Sequence, residues 1–76
     1  MEDLTEAGHV ARWNGDHYVV AGQTGIDLGM IEPADGSWVW MEFATEYDRE
    51  VDQGTRQYAD PAEALHEMLK YGGWLV

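Results

Sequence analysis

The sequence predicts an α+β domain: a small antiparallel sheet of four to five strands with one C-terminal helix packed on one face. Three observations carry this. Segments rich in β-branched and aromatic residues recur between glycine-containing turns from His9 to Tyr58. Only Pro61 to Tyr71 sets apolar residues at helical spacing behind a capping sequence. Strands in succession followed by a single helix give a sheet with the helix laid across it. The 76 residues read as a single domain, 1–76, without repeats or a linker.

Met1 to Gly8 is acidic and without period, and is expected to be a loose end or a short helical turn. His9 to Trp13 is strand 1, with Val10 and Arg12 on one side and Ala11 and Trp13 on the other. Asn14-Gly15 is a strong signal for a type I′ hairpin turn, and His17 to Ala21 then returns as strand 2. Gly22 to Gly25 is a loop by composition. Ile26 to Ile31 is strand 3, in which Gly29 marks a bulge or a close backbone approach. Glu32-Pro33-Ala34-Asp35-Gly36 reads as a turn, proline presetting φ and glycine taking the positive φ.

Strand 4 opens the most distinctive stretch, Ser37 to Tyr58, which reads as one long hairpin. Val39, Met41 and Phe43 share one face and Trp38 and Trp40 the other, so both faces are apolar and either suits the helix. The strand is expected to continue through Glu46, Asp48, Glu50 and Asp52, whose two-residue spacing makes a row of carboxylates. Asp52-Gln53-Gly54 fits a three-residue hairpin loop, with Thr55 to Tyr58 as strand 5, Val51 facing Thr55 and Glu50 facing Arg56. Asp60 is the expected N-cap, Pro61 the first helical residue and Glu63 the return arm of a capping box. Ala62, Leu65, Met68 and Leu69, widened by Ala64, form the apolar face, and Gly72-Gly73 ends the helix. Trp74-Leu75-Val76 is apolar enough to fold back onto the core.

Composition narrows the function classes. Fifteen acids against four Lys and Arg give a formal net charge of −11. That field disfavours direct binding of nucleic acid or anionic membrane and favours a basic protein surface. Cysteine is absent, which removes disulfides and thiolate metal sites. Four Trp, four Tyr and one Phe supply buried area instead, and a homodimer is another way to gain it. The N-terminus lacks the positive start and apolar core of a signal peptide, and no apolar run spans a bilayer, so a cytoplasmic location is expected.

No enzymatic motif is present, and no cofactor or metal is expected. Ser37, the one serine, has no histidine close by in sequence. Gly22-Gln-Thr-Gly25 lacks the lysine of a phosphate loop. His9, His17 and His66 have no helical ligand spacing and read as surface or edge residues. Asp48 to Gly54 has the outline of a calcium loop, but its glycine comes one position late and Ala59 stands where the bidentate glutamate belongs.

The carboxylate row is therefore the informative feature. Residues two apart on a strand lie roughly 6.6–6.8 Å apart, comparable to successive phosphates on one nucleic-acid strand. Glu42, Glu46, Asp48, Glu50 and Asp52 would face basic side chains, with Tyr47 and Tyr58 as rigid contacts. A solvated strand face that resists aggregation by charge explains the same row without a partner.

In size, charge, absent cysteine, aromatic richness and layout the chain resembles the small acidic proteins that bacteriophages encode against host defences, the anti-CRISPR and anti-restriction inhibitors, several of them DNA mimics. The resemblance covers the whole chain but no motif, and no functional residue carries over from it. It implies a non-enzymatic inhibitor that blocks the basic nucleic-acid-binding groove of a host defence complex in the host cytoplasm. The alternative is a small structural or assembly module that associates through Trp38, Trp40 and Trp74.

Overall fold

The computed structural model describes residues 1–44, 49–53 and 57–75, with the backbone alone for Ala44 and 49–53. Its elements are β1 (Leu4–Glu6), β2 (His9–Trp13), β3 (Tyr18–Ala21), β4 (Asp27–Ala34), β5 (Ser37–Ala44), β6 (Arg49–Gln53) and α1 (Pro61–Tyr71). Every strand pairs antiparallel with the next, so order in the sheet is order in the chain. The helix packs on one face, as the α+β expectation requires.

The N-terminal segment departs from expectation. It forms β1, which pairs with β2 across a two-residue turn, Ala7-Gly8, with φ of 51° and 79°. Two successive positive φ values mark a primed hairpin turn, and alanine in place of asparagine hid it from a reading by composition. The Asn14-Gly15 turn also differs. Trp13 pairs with Tyr18, which leaves a four-residue loop, and Asn14 Oδ1 accepts from the backbone N–H groups of Asp16 and His17 at 3.0 and 2.9 Å. Asparagine here caps a local turn by side chain and keeps a negative φ, so strand 2 begins one residue late.

Proline misled the reading of the next turn. Pro33 lies inside β4 opposite Trp38, and the turn is Asp35-Gly36 alone, with φ of 51° and 81°. Trp38 directs its N–H and C=O away from Pro33 to Tyr58, at 2.9 Å each. The β3–β4 ladder stops at Ile31, so the donor that proline lacks has no strand to serve.

Gly29 does both things expected of it. The register jumps from Val20–Gly29 to Ala21–Asp27, leaving Leu28 as the extra, bulged residue. A Cβ at Gly29 would collide with the Met41 carbonyl and lie 3.1 Å from Met68 Sδ. The missing side chain lets the helix approach the sheet at this point.

Helix α1 has the expected bounds. Asp60 accepts from Glu63 N–H at 2.8 Å, and the Glu63 carboxylate accepts from Ala59 N–H at 3.3 Å. Ala64, Leu65, Met68 and Leu69 are buried, while Ala62 is exposed and drops out of the expected apolar face. Gly73, at φ 79°, ends the helix, with Trp74 N–H bonded to Leu69 C=O and Gly73 N–H to Lys70 C=O. This is a Schellman closure, and it fixes the direction in which Trp74 leaves the helix.

The core joins Ala11, Tyr18, Val20, Ile31, Trp40 and Tyr58 of the sheet side to Ala64, Leu65, Met68 and Leu69 of the helix. Trp38 packs against it, with Trp13 and Tyr18 edge-on or tilted at ring centroids of 5.1–6.1 Å. The Tyr18 hydroxyl donates to the Glu2 carbonyl at 3.1 Å, tying down the N-terminus. Burial, aided by the charges of Asp3 and Glu2, raises its pKa above the usual phenol value. On β5 the tryptophan side therefore faces the helix. Val39, Met41 and Phe43 lie half-buried on the outer face, which no second layer covers among the described residues.

Candidate functional site

The expected carboxylate row changes shape in the fold. β5 ends at Ala44, and Arg49–Gln53 returns beside it as β6, so the reversal falls well before Asp52-Gln53-Gly54. One strand does not run from Trp38 to Asp52. Glu50 opposes Phe43 and Asp52 opposes Glu42, two adjacent β5 residues, so a register shift interrupts the two-residue repeat between them. Glu46, Tyr47 and Asp48 lie outside the described residues, as do Thr55 and Arg56.

The two remaining expected contact residues face inward. Tyr58 is 9% exposed, bridges Trp38 and belongs to the core, so it is not a free rigid contact. A lone tyrosine before an N-cap carries no burial signal; its antiparallel bridge to Trp38 supplies one. Glu42 is half-buried, and its Oε2 is buried with no hydrogen-bond partner among the described residues. A Cβ at Gly72 would collide with that oxygen, which places it against the C-terminal end of α1. The helix dipole is negative there and does not stabilise a carboxylate. Trp40 Nε1 is the other buried group without a partner.

Acidity elsewhere stays outside. Apart from Glu42, the described acidic residues are exposed, save Glu6, Glu32 and Glu67, which are half-buried. Arg12 and Asp3 approach to 3.9 Å with both side chains more than half exposed, which is worth about 0–1 kcal/mol. Asp16 lies 3.4 Å from His17, and Glu6 meets His66 across the gap between β1 and the helix. With four Lys and Arg against fifteen acids, most of the negative field has no internal cation to cancel it.

A second feature has no counterpart in the sequence reading. The β3–β4 loop, the start of β2 and Trp74, three residues past the helix, line a cleft of about 510 Å³, within the range of ligand sites. His9, Gly22, Ile26, Leu28 and Trp74 line it, with Gln23 and Thr24 at the loop. His9, expected at the surface, is 6% exposed and is the one buried polar or charged residue of those described. Its Nδ1 lies 2.9 Å from the Ala7 carbonyl. A carbonyl only accepts, so Nδ1 is the donor in this contact. Trp74 meets the His9 ring edge-on at 5.6 Å and remains 43% exposed, while Ile26 is 58% exposed. The apolar tail was a partial signal: Leu75 packs against the core as expected, and Trp74 covers one side of the cleft.

Among the described residues no three His, Asp or Glu side chains gather in a way that could hold a metal ion, and no helix is long and apolar enough to cross a membrane. Comparison with known proteins finds no matching family model, no matching curated protein and no matching solved structure.

Proposed function

We propose that this protein is a non-enzymatic acidic binding protein that occupies a basic, nucleic-acid-binding groove on a partner protein, as phage-type inhibitors of host defence do. One observation carries the reading: a net charge of −11, with no acidic residue in the core among the described residues. Such a field repels nucleic acid and speeds encounter with a basic groove. It also opposes folding by self-repulsion, a cost that a basic partner removes on binding. The reading rests on the acidity of the chain as a whole, which in sequence is densest where Glu42 to Asp52 holds five acids and one arginine.

The alternative, assembly through exposed tryptophans, loses two of its three residues. Trp40 is 4% exposed and Trp38 packs against the core, leaving Trp74.

The test is capture of partner from a host lysate on immobilised protein over a salt series. Retention should fall steeply as ionic strength rises and the Debye length shrinks below ~10 Å. Replacing Glu46, Asp48 and Asp52 by Asn or Gln should slow association more than the same change at Glu2, Asp3 and Asp35. Salt-insensitive retention, or capture of duplex DNA by the protein itself, would sink the reading.

A further inference from the structure

We propose that the cleft between His9 and Trp74 receives an arginine side chain of the basic partner. The inference rests on the acidic-binder reading for the partner, but its chemistry comes from the cleft.

Three properties of the cleft select the guanidinium. The first is a fixed aromatic wall. Trp74 is held by the Schellman closure on one side and by the His9 ring on the other, yet is 43% exposed. An indole face attracts a planar cation, and arginine more often than lysine, because guanidinium stacks flat and sheds water more easily. The second is a hydrogen-bond acceptor with a set direction. His9 donates from Nδ1 to Ala7 C=O, so in the neutral imidazole Nε2 is the nitrogen that accepts an N–H. Gly22 lies beside that nitrogen: a Cβ there would stand 3.9 Å from Nε2 and 3.4 Å from Leu28 Cδ1. The third is charge. No charged Asp, Glu, Lys or Arg is among the described residues that line the cleft, so the chain's net charge of −11 sets the field there and favours a cation over an anion. Ile26 and Leu28 supply apolar contact for the methylene stem, which arginine buries while its head is bonded.

Such a pocket gives the acidic surface something that charge alone does not. A diffuse field draws in any basic protein, whereas one arginine seated on Trp74 sets the register of the complex.

The test uses the full isotope-labelled chain and the capped tripeptide acetyl-Gly-Arg-Gly-amide, with its citrulline and lysine counterparts, followed by NMR. The arginine peptide should shift the Trp74 indole N–H and the His9 ring signals saturably. Citrulline, planar but neutral, should bind roughly tenfold more weakly. Trp74→Ala should abolish the His9 shift, and Gly22→Val, whose side chain starts within 4 Å of His9 and Leu28 in the cleft, should do the same. Equal binding of citrulline, tighter binding of free indole, or shifts confined to residues outside the cleft would overturn the inference. The salt-graded capture with Trp74→Ala separates it from the wider reading. Unchanged retention, with the peptide shift lost, would mean that the partner does not use the cleft, and the acidic reading would survive. Peptide binding without any capture would sink the acidic reading and leave the guanidinium preference standing.

Discussion

The two faces of β5 are equally apolar in sequence and have opposite fates. Trp38 and Trp40 turn to the helix, with Trp40 4% exposed, while Val39, Met41 and Phe43 lie half-buried on an open face. The strand alone does not decide this; the rows that cross the sheet do. The row through Trp40 runs to Ile31, Tyr18 and Trp13 and is apolar from end to end. The row through Met41 runs to Met30, Val19 and then Arg12, which is exposed. A charge at one end of a row is enough to tell which side of the sheet meets water, because every member of a row shares its face. Glu42 is the exception that sharpens the comparison: a carboxylate on the helix side, with one oxygen buried and without a partner among the described residues, at the place where the row through Gly29 meets the end of α1.

The largest expected effect breaks the inner face. Trp40→Ala should cost about 3–5 kcal/mol, the range for truncating a buried aromatic, and denaturant melts should show a large drop in midpoint. A loss no greater than that of a β5 outer-face residue would reverse the assignment of faces. Next comes Gly29→Ala. The added methyl collides with the Met41 carbonyl of the neighbouring strand and crowds Met68 Sδ, so the β4–β5 pairing must shift, at roughly 1–3 kcal/mol. Stabilisation by this change, as expected from lower chain entropy alone, would show that β5 does not approach so closely. The smallest effect belongs to the outer face. Val39→Thr keeps the strand-favouring branch and should alter stability by no more than about 0.5 kcal/mol, as at an open surface site. A larger loss would mean that something covers Val39.

The helix was the most legible part of the chain. Asp60, Pro61 and Glu63 define its start by local chemistry, and Gly72-Gly73 its end, so neither depends on the rest of the fold. Gly29 was legible for the same reason, since a glycine inside a strand has few physical uses. Turns were less so where one side chain serves two geometries. Asn14 fits a type I′ turn and equally a side-chain-capped loop, and Pro33 fits a turn and equally a strand beyond its neighbour's end. The acidic stretch misled because alternation says that residues share a face only while the strand stays regular, and neither the reversal after Ala44 nor the shift between Glu50 and Asp52 has a glycine or proline to announce it. The cleft was not legible at all. His9 and Trp74 stand at opposite ends of the chain, and only the completed fold sets their rings together.

The sheet's neighbour-to-neighbour order also bears on how the molecule assembles. Each strand needs only the one before it, so the sheet grows by short loop closures, the cheap kind in chain entropy. The helix differs. It must return across the sheet, and the Glu6–His66 pair joins residues sixty apart in the chain. Search time is therefore concentrated in one late docking event instead of spread over the sheet, and low contact order favours fast formation of everything before it. Damage to the helix side of the core then falls mainly on the rate of unfolding, and damage to the hairpins on the rate of folding.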